Sequence, residues 1–353
     1  MGQAGSVTAA LAAGENDGCR GWLLGNDPRE HEGKGQGMAQ MFQMMNLARM
    51  ETGHMALSCI INAFCNARDN AKERVQGRLL TNPKAGRVAI INHEDIKRTL
   101  LMGKAHIEAI RAMMYRVYLA FDQRERDPDP EVRKAASDLI EMTTPLCKAY
   151  PSDEGWWLIS EAIQSYGGYG YCEEYPVAQI ARDMKIYSIW EGTNYIQSMD
   201  LVGRKMQMKG GSLFGAWVKE MVDFCEANKG NEALAKEFAI LDKALKAYQE
   251  MLKVYAGYAK TNFSLVPLYS RRVLTITSQL YCGRQILDQA VLADKKAKEL
   301  GADHYDYNFY SGKVASAKYY LHNVVPNVWS VCEIIADGDS SALEVPLEAF
   351  EYM

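Results

Sequence analysis

Residues 164–197 read QSYGGYGYCEEYPVAQIARDMKIYSIWEGTNYIQ. Gly167, Gly168 and Gly170 surround Tyr169 and let the backbone approach a bulky ligand closely. Pro176 opens a short helix whose acidic N-terminal side complements the helix dipole. That helix carries Arg182 and Asp183, a candidate fold-holding ion pair, and then Ile186, Ile189 and Trp190 enclose Glu191 before a turn at Gly192. A carboxylate flanked by Trp and Ile is a candidate for desolvation, the device that makes a carboxylate a useful base near neutrality. The plainer reading makes Glu191, Thr193 and Asn194 the cap of the next helix. Residue types alone leave both readings open.

Working outward, apolar residues recur at spacings of three and four on both sides of this stretch, which predicts a mainly α protein. Met38, Met41, Phe42 and Met45 followed by Leu57, Ile60, Ile61 and Phe64 predict a helix running to about Gly77. A second spans 94–125 and is broken by DPDP at 127–130, since proline denies the helix an amide donor. A third follows over 131–149 and another over 154–164, with shorter helices at 176–186 and 193–208. Lys209–Gly210–Gly211 is the expected domain boundary, and 213–229, 231–261, 268–299 and 306–336 carry helical periodicity beyond it. Residues 1–36 lack that periodicity; the runs SVTAAL and GWLLG predict a short β remnant among loops.

The chain has 353 residues, enough for about two domains. A net charge of −4 provides no broad cationic field, which argues against nucleic-acid binding. No apolar run reaches the roughly 18–20 residues of a membrane span, and residues 1–20 lack the pattern of a signal peptide, so a cytoplasmic location is expected. The eight cysteines are dispersed, with no CxxC pair, which predicts reduced, structural thiols and no metal site.

The central stretch resembles the acyl-CoA dehydrogenase family. The resemblance rests on Gln164, Gly167, Gly168, Gly170, Tyr171, Glu174, Tyr175 and Pro176, then Arg182–Asp183, then Trp190, Glu191, Gly192, Thr193, Ile196 and Gln197, without a gap. Upstream, 41–78 resembles the first long helix of the family's C-terminal domain. Downstream, Asp306–Lys313 (DYNFYSGK) and the surrounding 213–350 look like the extra helical domain of longer members. The resemblance implies a C-terminal helical bundle over 37–209, an additional helical domain over 210–353, and the end of a β-domain over 1–36.

Position by position, it implies that Glu191 removes the α-proton of an acyl-CoA thioester while the β-hydride passes to FAD, giving a trans-2-enoyl-CoA. Ala48 stands where some relatives place the base on the first long helix, which leaves Glu191 in that role. Asn46, Arg49 and Gly192 match substrate-binding positions, Asn46 standing where Asp is common. Thr193 and Tyr195 match contacts to FAD in the same subunit, whereas Arg74, Gln76, His93, Glu94, Gln164, Gly167 and Gly168 match contacts to the FAD of a neighbouring subunit. Arg74 would pair with the pyrophosphate; His93 also suits the cap of the helix that follows it. Trp190, Met38, Met41 and Phe42 are candidates to narrow the acyl pocket.

The implied partners are an acyl-CoA substrate, an electron-transferring flavoprotein, further copies with FAD at subunit interfaces, and a companion subunit supplying the N-terminal half of a split enzyme. Two alternatives share the resemblance: an enoyl-CoA reductase running the reverse reaction, and a non-catalytic assembly subunit.

Overall fold

A computed structural model describes residues 1–352, except for the side chains of Met38, Ala39, Phe42, Gln43 and Ala85. The pocket-narrowing expected of Met38 and Phe42 therefore lies outside the described residues. Three long helices form the first layer: α1 (Gly37–Glu73), α2 (Glu94–Arg126) and α3 (Pro130–Tyr166). Helix α1 ends a few residues earlier than its periodicity suggests. Helix α2 turns a stripe containing Met102, Ile110, Met113, Met114 and Val117 into the core at helical spacing. Helix α3 starts where Asp129 accepts a bond from the Glu131 amide at 2.8 Å with Pro130 in the first turn, a favoured N-terminal arrangement.

Helices α1 and α3 run parallel. Asn46 lies beside Glu141, Gly53 beside Cys147, and Asn70 beside Ser165. Helix α2 runs antiparallel to both, with Tyr118 against His54 and Thr99 against Glu161. Sequence predicts an interruption in α3 at 150–153, yet the helix continues through Pro145 and Pro151. Pro151 withholds the amide that would bond the Cys147 carbonyl. That carbonyl faces Gly53, where an added Cβ would fall 1.9 Å from its oxygen. A glycine on the neighbouring helix thus makes room for the proline-displaced carbonyl.

Helices α4 (Pro176–Met184) and α5 (Asn194–Gly203) flank the stretch quoted above. After α5 the chain turns at Lys209, Gly210 and Gly211, all with positive φ, into α6 (Ser212–Ala227). Helices α7 (Ala235–Thr261), α8 (Leu265–Leu300), α9 (Tyr307–Asn323) and α10 (Pro326–Asp337) follow, then one turn, α11 (Ser341–Glu344). The periodic run 306–336 is two helices, because Pro326 begins a new one. Helix α8 is the axis of this second layer. It runs antiparallel to α7, with Tyr248 bonded to Thr277 at 2.7 Å, and to α9, with Lys313 bonded to Gln289 at 3.0 Å.

One apolar core is continuous from Met50 on α1 to Ile335 on α10. Some of its buried polar groups pair across the layers: Tyr150 with Tyr320 at 2.7 Å, and Ser198 with Ser270 at 2.9 Å. Such pairing avoids the penalty of an orphaned polar group. All eight cysteines are free, and Cys147, Cys225, Cys282 and Cys332 are buried.

The expected β remnant does not form: no residue in 1–36 belongs to a strand. A strand needs a ladder partner, and SVTAAL and GWLLG find none within this chain. Val7, Leu11 and Trp22 are consequently 85–96% exposed. Bridges among the described residues are limited to two isolated pairs, Val75 with Ala89 and Leu79 with Asn82.

Candidate active site

The segment between α4 and α5 places Glu191 at the start of a tight turn. Glu191 has φ 53° and Gly192 φ 81°, both left-handed. Glycine adopts that region freely, whereas a glutamate there is strained by about 1 kcal/mol or more and is held by its surroundings. The turn ends at Thr193, whose hydroxyl accepts a bond from the Ile196 amide at 3.3 Å and caps α5. Capping belongs to Thr193, which leaves the Glu191 carboxylate outside that role. Glu191 is half-buried and the Gly192 carbonyl accepts from the Gln197 side-chain amide at 3.3 Å. An added Cβ on Gly192 would lie 2.9 Å from the Gln197 amide nitrogen and 3.9 Å from Arg49.

Helices α1, α3 and α5 back the turn with buried polar side chains. Arg49, 6% exposed, pairs with Asp200 at 3.2 Å, and its Nε has no partner. Asn46 donates to Glu141 at 3.0 Å, and the fully buried Lys205 bonds the other Glu141 oxygen. Burial alone would raise the Glu141 carboxyl, but Lys205 and Asn46 hold it below its ordinary value. Asn194 accepts from Lys148 at 2.8 Å and donates to Ser152 at 2.9 Å and Asp153 at 2.8 Å.

Two expectations need correction. The apolar shell around Glu191 is open, with Ile189 50% and Trp190 37% exposed. Arg182 pairs with Glu173 at 3.4 Å instead of Asp183, whose carboxylate accepts from the Gln3 amide of the N-terminal segment. Sequence reading missed Lys148, Glu141, Asp200 and Lys205. One signal was available: Lys148 is the only charge in a run of buried residues from Met142 to Ser152.

The remaining expected residues gather at the far end of α1. Arg74 follows α1 and stacks over the Tyr169 ring at 5.7 Å, and Tyr169 lies in the glycine-rich loop after α3. His93 is in the cap position of α2 but makes no side-chain cap; its Nε2 meets the Gln76 carbonyl at 2.8 Å. Glu94 opens α2 and is exposed. The Gln164 carbonyl accepts from the Gly167 amide, Gly167 has φ 62°, and neither Gly167 nor Gly168 has an atom near its Cβ position. The 25 helical residues from Arg49 to Glu73, just before Arg74, correspond to about 37 Å. Thr193 and Tyr195, both exposed, belong with Glu191 at the first end. The structure thus brings the expected residues into two clusters.

A layer of three long helices, α2 antiparallel to α1 and α3, continues into a second helical layer, with a left-handed carboxylate turn between them. Residues 35–206 match the model for the acyl-CoA dehydrogenase C-terminal domain, and 217–346 that described as acetyl-CoA dehydrogenase C-terminal like. The chain belongs to the acyl-CoA dehydrogenase family.

A butyryl-CoA dehydrogenase of Syntrophomonas wolfei is 47% identical over 99% of this chain and 57% of its own length. The broad-specificity linear acyl-CoA dehydrogenase FadE5 of Mycobacterium tuberculosis is 33% identical over 99% of this chain and 58% of its own. The chain therefore spans somewhat over half the length of these relatives. Among solved structures, Caenorhabditis elegans ACDH-11 in complex with C11-CoA superposes with a TM-score of 0.68 at 19% identity, over 87% of this chain and 48% of that one. A Bacillus anthracis acyl-CoA dehydrogenase complexed with FAD gives 0.64 at 20% identity, over 87% and 51%. At these identities the likeness is one of fold.

Proposed function

We propose that this chain is the base-bearing part of an FAD-dependent acyl-CoA dehydrogenase, with Glu191 removing the α-proton of an acyl-CoA thioester to yield a trans-2-enoyl-CoA. The observation that carries the reading is the left-handed turn at Glu191–Gly192, since strain concentrates where function requires it. Glu191 serves as base. Arg49 and Asn46 lie on the α1 side of the turn and orient the thioester end of the substrate.

The chain fits FAD at both clusters. The exposed Arg74 guanidinium suits a pyrophosphate, and the open backbone at Gly167 and Gly168 admits close approach. Gln76, His93, Glu94 and Gln164 adjoin them, while Thr193 and Tyr195 would meet the flavin near Glu191. When bound, FAD supplies the hydride acceptor, and an electron-transferring flavoprotein takes the electrons onward. The clusters stand about 37 Å apart along one rigid helix, which favours flavins held between two copies of the chain.

A companion polypeptide carrying the N-terminal half completes the site. Exposed Val7, Leu11 and Trp22, and exposed Ile189, Trp190, Tyr195 and Ile196, are the apolar surfaces it would cover. No helix among the described residues is long and apolar enough to cross a membrane, and we place the enzyme in the cytoplasm. We divide the chain at the Lys209–Gly211 turn, with the base-bearing bundle over 37–209 and the extra helical domain over 210–353.

The test is to purify the chain with its companion and to follow dye reduction driven by acyl-CoA. Glu191→Gln should keep the flavin and lose about 10²–10⁴-fold in kcat, the contribution typical of a positioned base. A flavin-loaded Glu191→Gln complex with full activity would overturn the assignment.

A further inference from the structure

Lys148 is the least expected residue near the turn. It is 0% exposed, and its ammonium, with three protons to place, bonds one acceptor, Asn194 Oδ1 at 2.8 Å. An ammonium buried against a neutral acceptor works against folding. Burial pulls Lys148 down to about 8, and Arg49 also lowers it, while Asp153 and Glu191 act in the opposite sense. Its folded value lies below its unfolded one, so its burden on stability is full below pH 8 and lifts as pH rises beyond it. Stability therefore does not explain the residue.

Geometry does. Asn194 is the first residue of α5 and directly follows the Glu191–Gly192–Thr193 turn. It is 2% exposed, and its side chain is saturated by Lys148, Ser152 and Asp153, with a weaker contact to the Ala149 carbonyl at 3.3 Å, all on α3. The turn's near end is tied by the Trp190 amide to the Ile186 carbonyl at 3.0 Å. A strained glutamate between two fixed points keeps its conformation; released at the Asn194 end, it relaxes.

We propose that Lys148 is a positioning residue: through Asn194 it clamps the turn that presents Glu191. The charged groups facing it are Asp153 on its own helix, Arg49 from α1, Glu191 from the turn and Arg271 from α8. The catalytic half of this inference rests on the proposed role of Glu191; the clamp itself does not.

Two measurements test it. In the chain alone, hydrogen exchange of amides 191–197 should quicken about tenfold or more in Lys148→Met while the melting temperature at pH 7 holds or rises, because relief from burying the ammonium offsets the hydrogen bond lost at Asn194. In the flavin-loaded complex, Lys148→Met and Lys148→Gln should both lower kcat at nearly unchanged KM, because both loosen the turn without touching the substrate. Lys148→Gln keeps an amide donor and should lose less in kcat than Lys148→Met. Unchanged exchange at 191–197, or equal kcat losses in Lys148→Met and Lys148→Gln, overturns the proposal. An active Glu191→Gln complex would overturn the assignment of the base and leave the exchange result to decide the clamp.

Discussion

At the scale of single residues, the conformation of Glu191 separates two quantities that usually move together. A non-glycine residue at φ 53° is destabilising in itself, and Gly192 at φ 81° shares the turn without strain. Glu191→Gly should therefore leave the thermal stability of the chain unchanged or raise it by up to about 1 kcal/mol while removing the carboxylate. A clear fall in the melting temperature would mean that the Glu191 side chain holds the turn by its own contacts. The turn was legible from the sequence, because a carboxylate followed by glycine is a local pattern, while residue types alone left the role of that carboxylate open. Its supports were not: Lys148 reaches it through Asn194 from α3, and Asp200 through Arg49, which lies beside Gly192 on α1. Only the packing of three helices makes them neighbours.

At the scale of elements, periodicity located the long helices because each buries one stripe, and it misjudged α3 because local rules put a break at proline. The break is avoided by a tertiary contact, the Cys147 carbonyl lodging against Gly53 of α1. Gly53→Ala should cost about 2–3 kcal/mol, since an atom placed 1.9 Å from a carbonyl oxygen forces the helices apart. Pro151→Ala returns the missing donor to that carbonyl and should soften the loss, so a double-mutant cycle measured by denaturant unfolding should give a coupling between 53 and 151 of about 0.5–3 kcal/mol. Purely additive effects would show that the two residues act separately. Strand prediction at 1–36 failed for a related reason. Extended sequences need neighbours, and SVTAAL and GWLLG have none here.

At the scale of the whole molecule, the two clusters make the proposed sharing of flavins between copies testable. A complex mixing chains carrying Glu191→Gln with chains carrying Arg74→Ala should recover part of the dye-reducing activity that each variant lacks alone, because some interfaces would pair an intact base with an intact Arg74. No recovery from a mixed, flavin-loaded assembly would place both residues at one flavin. Continuous helix between Arg49 and Arg74 makes α1 a spacer whose ends are locked in phase. One inserted residue would lengthen it by about 1.5 Å and turn one end by about 100° against the other. Such a change spares the core-facing chemistry of each end and still misdirects one cluster. The length of α1 is therefore fixed to the residue, as the pitch of a gear is fixed by the wheel it must meet.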